Sequence, residues 1–159
     1  MAGMEPDPQN LVTISLKNST ATEALGARIA AQLRRGDVVC LFGALGAGKT
    51  TLARGLIRAL AGEDVETPSP TYTLVQTYET PDFELWHADL YRLDSPQESL
   101  ELGLEDAFIS GACVIEWPER LGERLPPDRL EVSFQDAEGD GRTAELVGRG
   151  AWRERISDI

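Results

Sequence analysis

The strongest chemical signal in the sequence is a glycine-rich octapeptide. The segment from Gly43 to Thr50 reads GALGAGKT, matches the pattern G-x-x-x-x-G-K-[ST] and is followed by Thr51. In such a turn, backbone N–H groups converge on one anion, and the positive end of the next helix adds to the attraction. The lysine carries charge to the β and γ phosphates, and the hydroxyl ligates magnesium. The segment therefore predicts a site for Mg-ATP.

Every position of this turn, with the threonine after it, is a candidate nucleotide contact. The candidates are Gly43, Ala44, Leu45, Gly46, Ala47, Gly48, Lys49, Thr50 and Thr51. The alternative is a glycine-rich turn that arose by chance. The composition argues against it, because the chain has two lysines, Lys17 and Lys49, and one of them occupies the required position.

Hydrolysis in a P-loop protein also needs a carboxylate at the end of a neighbouring strand, where it holds magnesium or its water. Glu116 closes the apolar run ACVI, and Asp89 closes the segment FELWHA. Both acids are therefore candidate catalytic residues and, together with Thr50, candidate magnesium ligands. A solvated residue at a strand end is the alternative for each of them.

Three more side chains lie next to these positions in the sequence. Thr71 ends a proline-rich segment and resembles the switch threonines that sense a γ phosphate, although a turn hydroxyl explains it equally well. Trp117 follows Glu116 and packs either in the core or beside the nucleotide. His87 is the only histidine, and we interpret it as a structural residue that hydrogen-bonds a neighbour, because no nucleophile is evident for it to activate.

The composition predicts one globular, cytoplasmic domain. The chain has 159 residues, 42% of them hydrophobic, and contains no apolar run of the ~18 residues that a membrane span requires. Residues 1–10 predict a loose terminus, and residues 11–159 a single domain. A net charge of -12 argues against direct binding of nucleic acid. This charge either keeps the protein soluble or forms an acidic face that binds a basic partner protein.

The elements around the octapeptide alternate between strand and helix, which predicts an α/β fold. The apolar run Val38–Phe42 predicts a strand buried on both faces, and the leucines after the octapeptide predict a helix that ends at Gly62. Alternating residues predict a strand over Leu11–Leu16. Thr20 and Glu23 then form a predicted capping box for a helix with Gly36 at its end.

The second half of the chain predicts further strands on the same sheet. The segment 65–71 is an extended, proline-stiffened loop, and Ser95 caps a predicted short helix. The predicted strands are Tyr72–Tyr78 and Phe83–Asp89, which form a hairpin, and Ala112–Ile115, Leu130–Phe134 and Arg142–Val147. Together the elements predict a three-layer α/β/α sandwich of the P-loop NTPase type, with a mostly parallel central sheet and antiparallel additions.

Four ordered motifs resemble those of a known protein family. They read GALGAGKTTLARG at the octapeptide, SPTYTLVQTYE from Ser69, HADLYRLDSPQE from His87 and VIEWPERL from Val114. On these motifs the chain resembles the bacterial TsaE-type ATPases of tRNA threonylcarbamoyladenosine synthesis. The resemblance spans most of the chain between Leu11 and Leu130.

The resemblance implies an α/β ATPase that uses ATP and Mg²⁺ and works with TsaB-like and TsaD-like partners. By this resemblance, the TsaD-like partner modifies the adenosine beside the anticodon, and ATP hydrolysis resets the complex. This chain would then contact tRNA only through its partners. The implied site residues are Lys49 and Thr50 at phosphate and magnesium, the acids Asp89 and Glu116, Thr71 in a switch-like loop, and Trp117 beside the nucleotide or the partner. Further nucleotide contacts near Ser19 to Thr22 are implied but not assigned.

Three other function classes remain as alternatives. A small-molecule kinase shares the P-loop, but its arginine-rich lid would have to come from Arg92, Arg120 and Arg124, and no lid insertion is evident. A GTPase is disfavoured because the sequence has no N-K-x-D or T-K-x-D segment. The last alternative is a regulatory module that binds ATP without hydrolysing it.

Overall fold

The computed structural model describes residues 10–137 and 141–159. Most of the predicted loose terminus, residues 1–9, lies outside this range. The strands are β1 (Leu11–Leu16), β2 (Val38–Phe42), β3 (Val75–Glu79), β4 (Glu84–Asp89), β5 (Ala112–Glu116), β6 (Arg129–Asp136) and β7 (Arg142–Arg149). The helices are α1 (Ser19–Ala30), α2 (Lys49–Ala61), α3 (Glu98–Leu102), α4 (Leu104–Ser110) and α5 (Trp152–Arg155), with 3₁₀ segments at Pro118–Arg124 and Ile156–Asp158.

The strands in the described part of the chain form one sheet with the order β1-β7-β6-β2-β5-β4-β3. The four central strands β6, β2, β5 and β4 run parallel to one another. The strands at both edges, β1 and β7 on one side and β3 on the other, pair antiparallel. This confirms the predicted mostly parallel sheet with antiparallel additions. The apolar runs of β2 and β5 lie at its centre, where both faces are covered.

Helices cover both faces of the sheet, as the predicted three-layer architecture requires. Successive β2 side chains alternate between two cores, with Val39 and Leu41 in one and Val38 and Cys40 in the other. The first core packs against α1, α2 and α5, and the second against α3, α4 and the 3₁₀ segment after β5. In residues 10–137 and 141–159, none of the helices has the length and apolar character of a membrane span.

Both cysteines are free thiols in the second core. Burial raises the pKa of the Cys113 thiol to about 12 and that of Cys40 further still. A buried free thiol behaves as a small hydrophobic side chain, which fits this environment.

The predicted start and end of α1 were wrong in detail. Asn18 caps the helix, because its side-chain oxygen accepts a 2.9 Å hydrogen bond from the Ala21 N–H. Asn18 precedes the predicted cap, Thr20, and like it can accept a hydrogen bond from an unpaired N–H group of the first helical turn. The helix therefore begins earlier than predicted. It ends at Ala30, and Gly36 lies beyond it in the turn before β2.

Two further elements begin at least two residues later than predicted. β3 begins at Val75 rather than Tyr72, because the Leu74 N–H bonds the Pro70 carbonyl at 2.7 Å and closes a turn there. The short helix for which Ser95 was the predicted cap begins at Glu98. The predicted box contact is nevertheless present, since the Glu98 carboxylate accepts the Ser95 N–H at 3.1 Å.

Glycines allow α1 and α2 to approach each other with backbone in contact. A Cβ atom added to Gly26 would lie 2.2 Å from the Leu52 carbonyl oxygen, and one added to Gly55 would lie 2.2 Å from the Glu23 carbonyl oxygen. No side chain fits at either crossing point. The contact fixes the position of α2, whose first residue is Lys49 of the glycine-rich turn.

We expect Gly55→Ala to destabilise the protein, although alanine is the better helix former. The added methyl group must displace the α1 backbone, so the free energy of unfolding should fall by about 1–3 kcal/mol. Denaturant titration followed by circular dichroism measures the change. The control is Ala59→Gly at an exposed position of α2, which alters helix propensity alone and should cost about 1 kcal/mol. A Gly55→Ala protein as stable as the parent would contradict the close helix contact.

Candidate nucleotide-binding site

The glycine-rich turn connects the carboxyl end of β2 to the first residue of α2. Gly48, at the N-cap position, has φ 111°, a left-handed conformation that favours glycine. It has no side chain to cap the helix, so the first N–H groups of α2 face the turn. A Cβ atom on Gly43 would lie 3.2 Å from that of Ala47, a tight contact, and the φ of 148° at Gly43 also favours glycine. The turn is thus a backbone cradle for an anion.

Lys49 lies across this cradle and is 4% exposed. Its ammonium group donates hydrogen bonds to the carbonyl oxygens of Gly43 and of Ala44, the latter at 3.2 Å. The same Nζ lies 3.9 Å from the centre of the Trp117 ring, in a cation–π contact. Lys49 is therefore held within reach of the turn by groups that a phosphate can replace.

The electrostatic environment of Lys49 combines burial with nearby acids. Burial lowers the pKa of its ammonium group, and the charges of Glu116, Glu119 and Asp89 oppose this shift. A partly desolvated cation interacts more strongly with an incoming anion than a hydrated one does. The environment therefore favours binding of a phosphate close to Lys49.

The two candidate acids lie side by side at the carboxyl edge of the sheet. Asp89 and Glu116 are paired in the parallel register of β4 and β5, and they are 5% and 2% exposed. The Thr50 hydroxyl donates a 2.9 Å hydrogen bond to Glu116 Oε1. A hydroxyl from α2 and a carboxylate from β5 are thereby joined directly beside the cradle.

Thr71 connects the proline-rich loop to the second acid. Its hydroxyl donates to Asp89 Oδ2 at 3.2 Å and lies 2.8 Å from the Ser69 hydroxyl. The other oxygen of Asp89 accepts the Tyr91 N–H at 3.1 Å. The loop that carries Thr71 is therefore attached to the candidate site through one side chain of β4.

These groups line one cleft of about 210 Å³. Its lining residues are Leu45, Gly46, Gly48, Lys49, Thr50, Thr51, Thr71, Asp89, Glu116 and Trp117. Most of the predicted site residues thus meet in one place. The other three, Gly43, Ala44 and Ala47, form the back of the turn: the first two bind Lys49 through their carbonyls, and Ala47 is 7% exposed.

Comparison with known proteins places these residues in a family. The family model described as threonylcarbamoyl adenosine biosynthesis protein TsaE matches residues 16–144. The chain belongs to the TsaE family. This confirms the resemblance seen in the sequence, since all four motifs lie inside the matched range.

Individual TsaE relatives match over similar lengths. Two relatives carry the name tRNA threonylcarbamoyladenosine biosynthesis protein TsaE. The one from Rickettsia felis is 39% identical, and the match covers 83% of this chain and 77% of that protein. The one from Bacillus subtilis is 37% identical, and the match covers 89% of this chain and 88% of that protein. The crystal structure of Bacillus subtilis YdiB has a TM-score of 0.79 and 30% identity, and the match covers 93% of this chain and 92% of that one.

The structure adds residues that sequence reasoning had not assigned to the site. A second cavity of about 140 Å³ lies on the other side of the glycine-rich turn; its lining residues are Asn18, Ser19, Thr22, Gly46, Gly48, Thr51 and Arg142. The TsaE resemblance had indicated contacts near Ser19 to Thr22, and the polar run NST at the start of α1 is the local signal. Arg142 comes from β7 and donates to the Gly46 carbonyl at 3.4 Å, a contact that nothing in its local sequence predicts.

The two acids could hold a magnesium ion together with the phosphates of a nucleotide. Among the described residues, no group of three or more His, Cys, Asp or Glu side chains is arranged to hold a metal. Mg²⁺ keeps several waters and is bound through one or two carboxylates together with substrate phosphates. Thr50, Asp89 and Glu116 supply that kind of incomplete ligand set in this TsaE-family chain.

We expect an anion in the cradle to change the fluorescence of Trp117, because phosphate oxygens compete for the Lys49 ammonium that lies on its ring. Titration with inorganic pyrophosphate should change tryptophan emission in a saturable way, and Trp117→Phe should remove the change. Trp86→Phe is the control, since the Trp86 indole donates to Glu84 at the opposite end of β4. A full response in Trp117→Phe would contradict the proposed exchange of partners at Lys49.

Proposed function

We propose that this chain binds Mg-ATP at the glycine-rich turn and hydrolyses it. In this proposal it works with TsaB-like and TsaD-like partners in threonylcarbamoylation of the adenosine next to the anticodon of tRNA. The observation that carries the proposal is the 2.9 Å contact between Thr50 Oγ1 and Glu116 Oε1, with Asp89 beside Glu116 in the sheet. The names of the TsaE relatives support the tRNA pathway.

Phosphate binding follows from the backbone of the turn and from Lys49. The N–H groups at the start of α2 point at one anion, and the helix dipole favours its charge. Lys49 exchanges the carbonyls of Gly43 and Ala44 for phosphate oxygens, a stronger charge-assisted contact. Residues Gly46, Gly48 and Thr51 line both cavities, which supports the second one as the site of the nucleoside.

Hydrolysis would depend on how Thr50, Glu116 and Asp89 are oriented. Mg-ATP supplies the phosphoanhydride and a metal ion that neutralises its charge. Because Thr50 donates its hydrogen to Glu116, its oxygen lone pairs are left to face a cation. Asp89 is held by the Tyr91 N–H and by Thr71, so it can orient a water beside the terminal phosphate. Loss of the Thr71 contact would detach this end of the loop from β4.

Exposed aromatic residues around the cleft support a partner protein that docks near the nucleotide. Tyr72 is 81% and Tyr91 39% exposed, and Leu45, on the turn itself, is 69% exposed. The guanidinium groups of Arg92 and Arg120 lie 4.6 Å and 5.9 Å from the ring centres of Tyr72 and Tyr91. Tyrosine and arginine are enriched at protein interfaces.

The charge of the chain agrees with indirect contact with tRNA. A net charge of -12 opposes binding to the phosphate backbone, so the partners would hold the nucleic acid. Action on tRNA is expected in the cytoplasm.

The three arginines considered for a kinase lid have other contacts. Arg124 donates to Glu105 at 2.8 Å, and Arg92 and Arg120 lie over tyrosine rings. This favours hydrolysis over transfer to a small acceptor.

ADP release should be measured with the chain alone, with candidate small acceptors, and with TsaB-like and TsaD-like proteins. We expect slow release from the chain alone and faster release with the partners. Release that requires a small acceptor, with phosphate recovered on it, would replace the proposal with a kinase. Nucleotide binding with no release under any condition would make the chain a non-hydrolytic module.

Substitution of two site residues should separate binding from turnover. Lys49→Ala should weaken Mg-ATP binding by about 1.5–3 kcal/mol, the contribution of a hydrogen bond to a charged group. Glu116→Ala should leave most of the nucleotide affinity and lower turnover by about 100-fold or more. Calorimetry and ADP release measure the two effects, with Glu123→Ala, at an exposed position, as the control. Undiminished turnover in both site variants would refute the assigned roles.

A further inference from the structure

His87 lies in the middle of β4, opposite Val114 of β5, and is 1% exposed. Its Nε2 atom is 2.7 Å from Glu116 Oε2. The sequence had predicted a structural histidine with a hydrogen-bonded neighbour, and that neighbour is a candidate magnesium ligand. We propose that His87 is a positioning residue, which holds the Glu116 carboxylate so that Oε1 faces Thr50 and the cleft. This inference rests on the proposed function.

The hydrogen bonds of Glu116 account for both of its oxygens. Oε1 accepts from the Thr50 hydroxyl at 2.9 Å, and Oε2 accepts from His87. A carboxylate that is 2% exposed needs such donors, because burial of an ionised group without partners is costly. His87 thus supplies the donor on the side away from the cleft.

The second ring nitrogen of His87 indicates which tautomer is present. Nδ1 is buried and has no hydrogen-bond partner in the described part of the chain. A lone pair can be left without a donor more readily than an N–H without an acceptor. The arrangement therefore places a proton on Nε2, where it is donated to Glu116.

The position of His87 within the sheet makes it suited to this role. Both His87 and Glu116 are on central, parallel strands, so the donor does not move with the loop that carries Thr71. Residues that orient a metal ligand in this way typically change metal affinity or activity by about 10–100-fold when they are lost. Without His87, Oε2 of Glu116 loses its donor, and the Thr50 hydroxyl alone orients the carboxylate.

The first test uses the fact that the chain has a single histidine. Protein labelled with ¹⁵N-histidine gives one imidazole spectrum, and the couplings of its two nitrogens show which of them carries a proton. We expect a protonated Nε2 whose chemical shift changes in Glu116→Gln. An unprotonated Nε2 would overturn the proposal, because it cannot donate to Glu116.

The second test compares two substitutions of His87. His87→Leu removes the donor, whereas His87→Gln carries a side-chain N–H₂ group of similar reach. Magnesium should increase the affinity for nucleotide. In His87→Leu we expect the magnesium concentration that gives half of this increase to rise by about 10-fold or more. Affinity measured in EDTA should stay unchanged, because Lys49 and the backbone cradle are intact. His87→Gln should restore much of the magnesium response.

Val114→Ala is the matched control, since it disturbs the packing opposite His87 without removing a donor. It should lower the melting temperature and leave the magnesium response unchanged. Equal magnesium responses in wild-type, His87→Leu and His87→Gln proteins would overturn the proposal. If His87→Leu does not fold, the labelled spectrum and His87→Gln decide. A wild-type protein that binds no nucleotide, with or without magnesium, would instead count against the proposed function.

Discussion

The candidate site depends on a backbone turn held rigidly at the carboxyl edge of a buried sheet. Within the turn, the Lys49 side chain binds the carbonyls of Gly43 and Ala44, and the strand before the turn and the helix after it hold its two ends. β2 is paired on both sides, with β5 and β6, and α2 is pressed against α1 where Gly55 meets the Glu23 backbone. These contacts hold the N–H groups of α2 beside the two acids.

The two acids reach the same edge through pairing of distant segments, and they are held differently. Glu116 is bound by Thr50 and His87, both on regular elements that pack in the core. Asp89 is bound by Thr71, from a proline-rich loop, and by the Tyr91 N–H. Movement of that loop would therefore remove one contact of Asp89 and none of Glu116. This difference suits a fixed metal ligand beside a group that responds to the nucleotide.

The sequence predicted the parts of the fold whose signals are local. The apolar runs specify β2 and β5, and the G-x-x-x-x-G-K-T pattern specifies the turn. Each of these signals is contained in a few consecutive residues. The contact between His87 and Glu116 was not predictable in this way, because it depends on the register of two strands separated along the chain. The start of α1 was wrong for a different reason, since Asn18 and Thr20 are both good caps and only their geometry decides between them.

The polar groups of the cleft bind one another, which links the nucleotide site to the exposed aromatic residues around it. Lys49 lies on the Trp117 ring, whose centre is 5.0 Å from that of Tyr91. Thr71, bound to Asp89, precedes the exposed Tyr72. Under the proposed function, phosphate and magnesium would compete with these internal contacts, so part of the gross binding free energy would be used to break them. Loss of the Lys49 contacts would include its cation–π contact with Trp117, and loss of the Thr71 contact would detach from Asp89 the residue that precedes Tyr72. Under the proposed function, the partner proteins would therefore bind a surface that differs according to which nucleotide is bound.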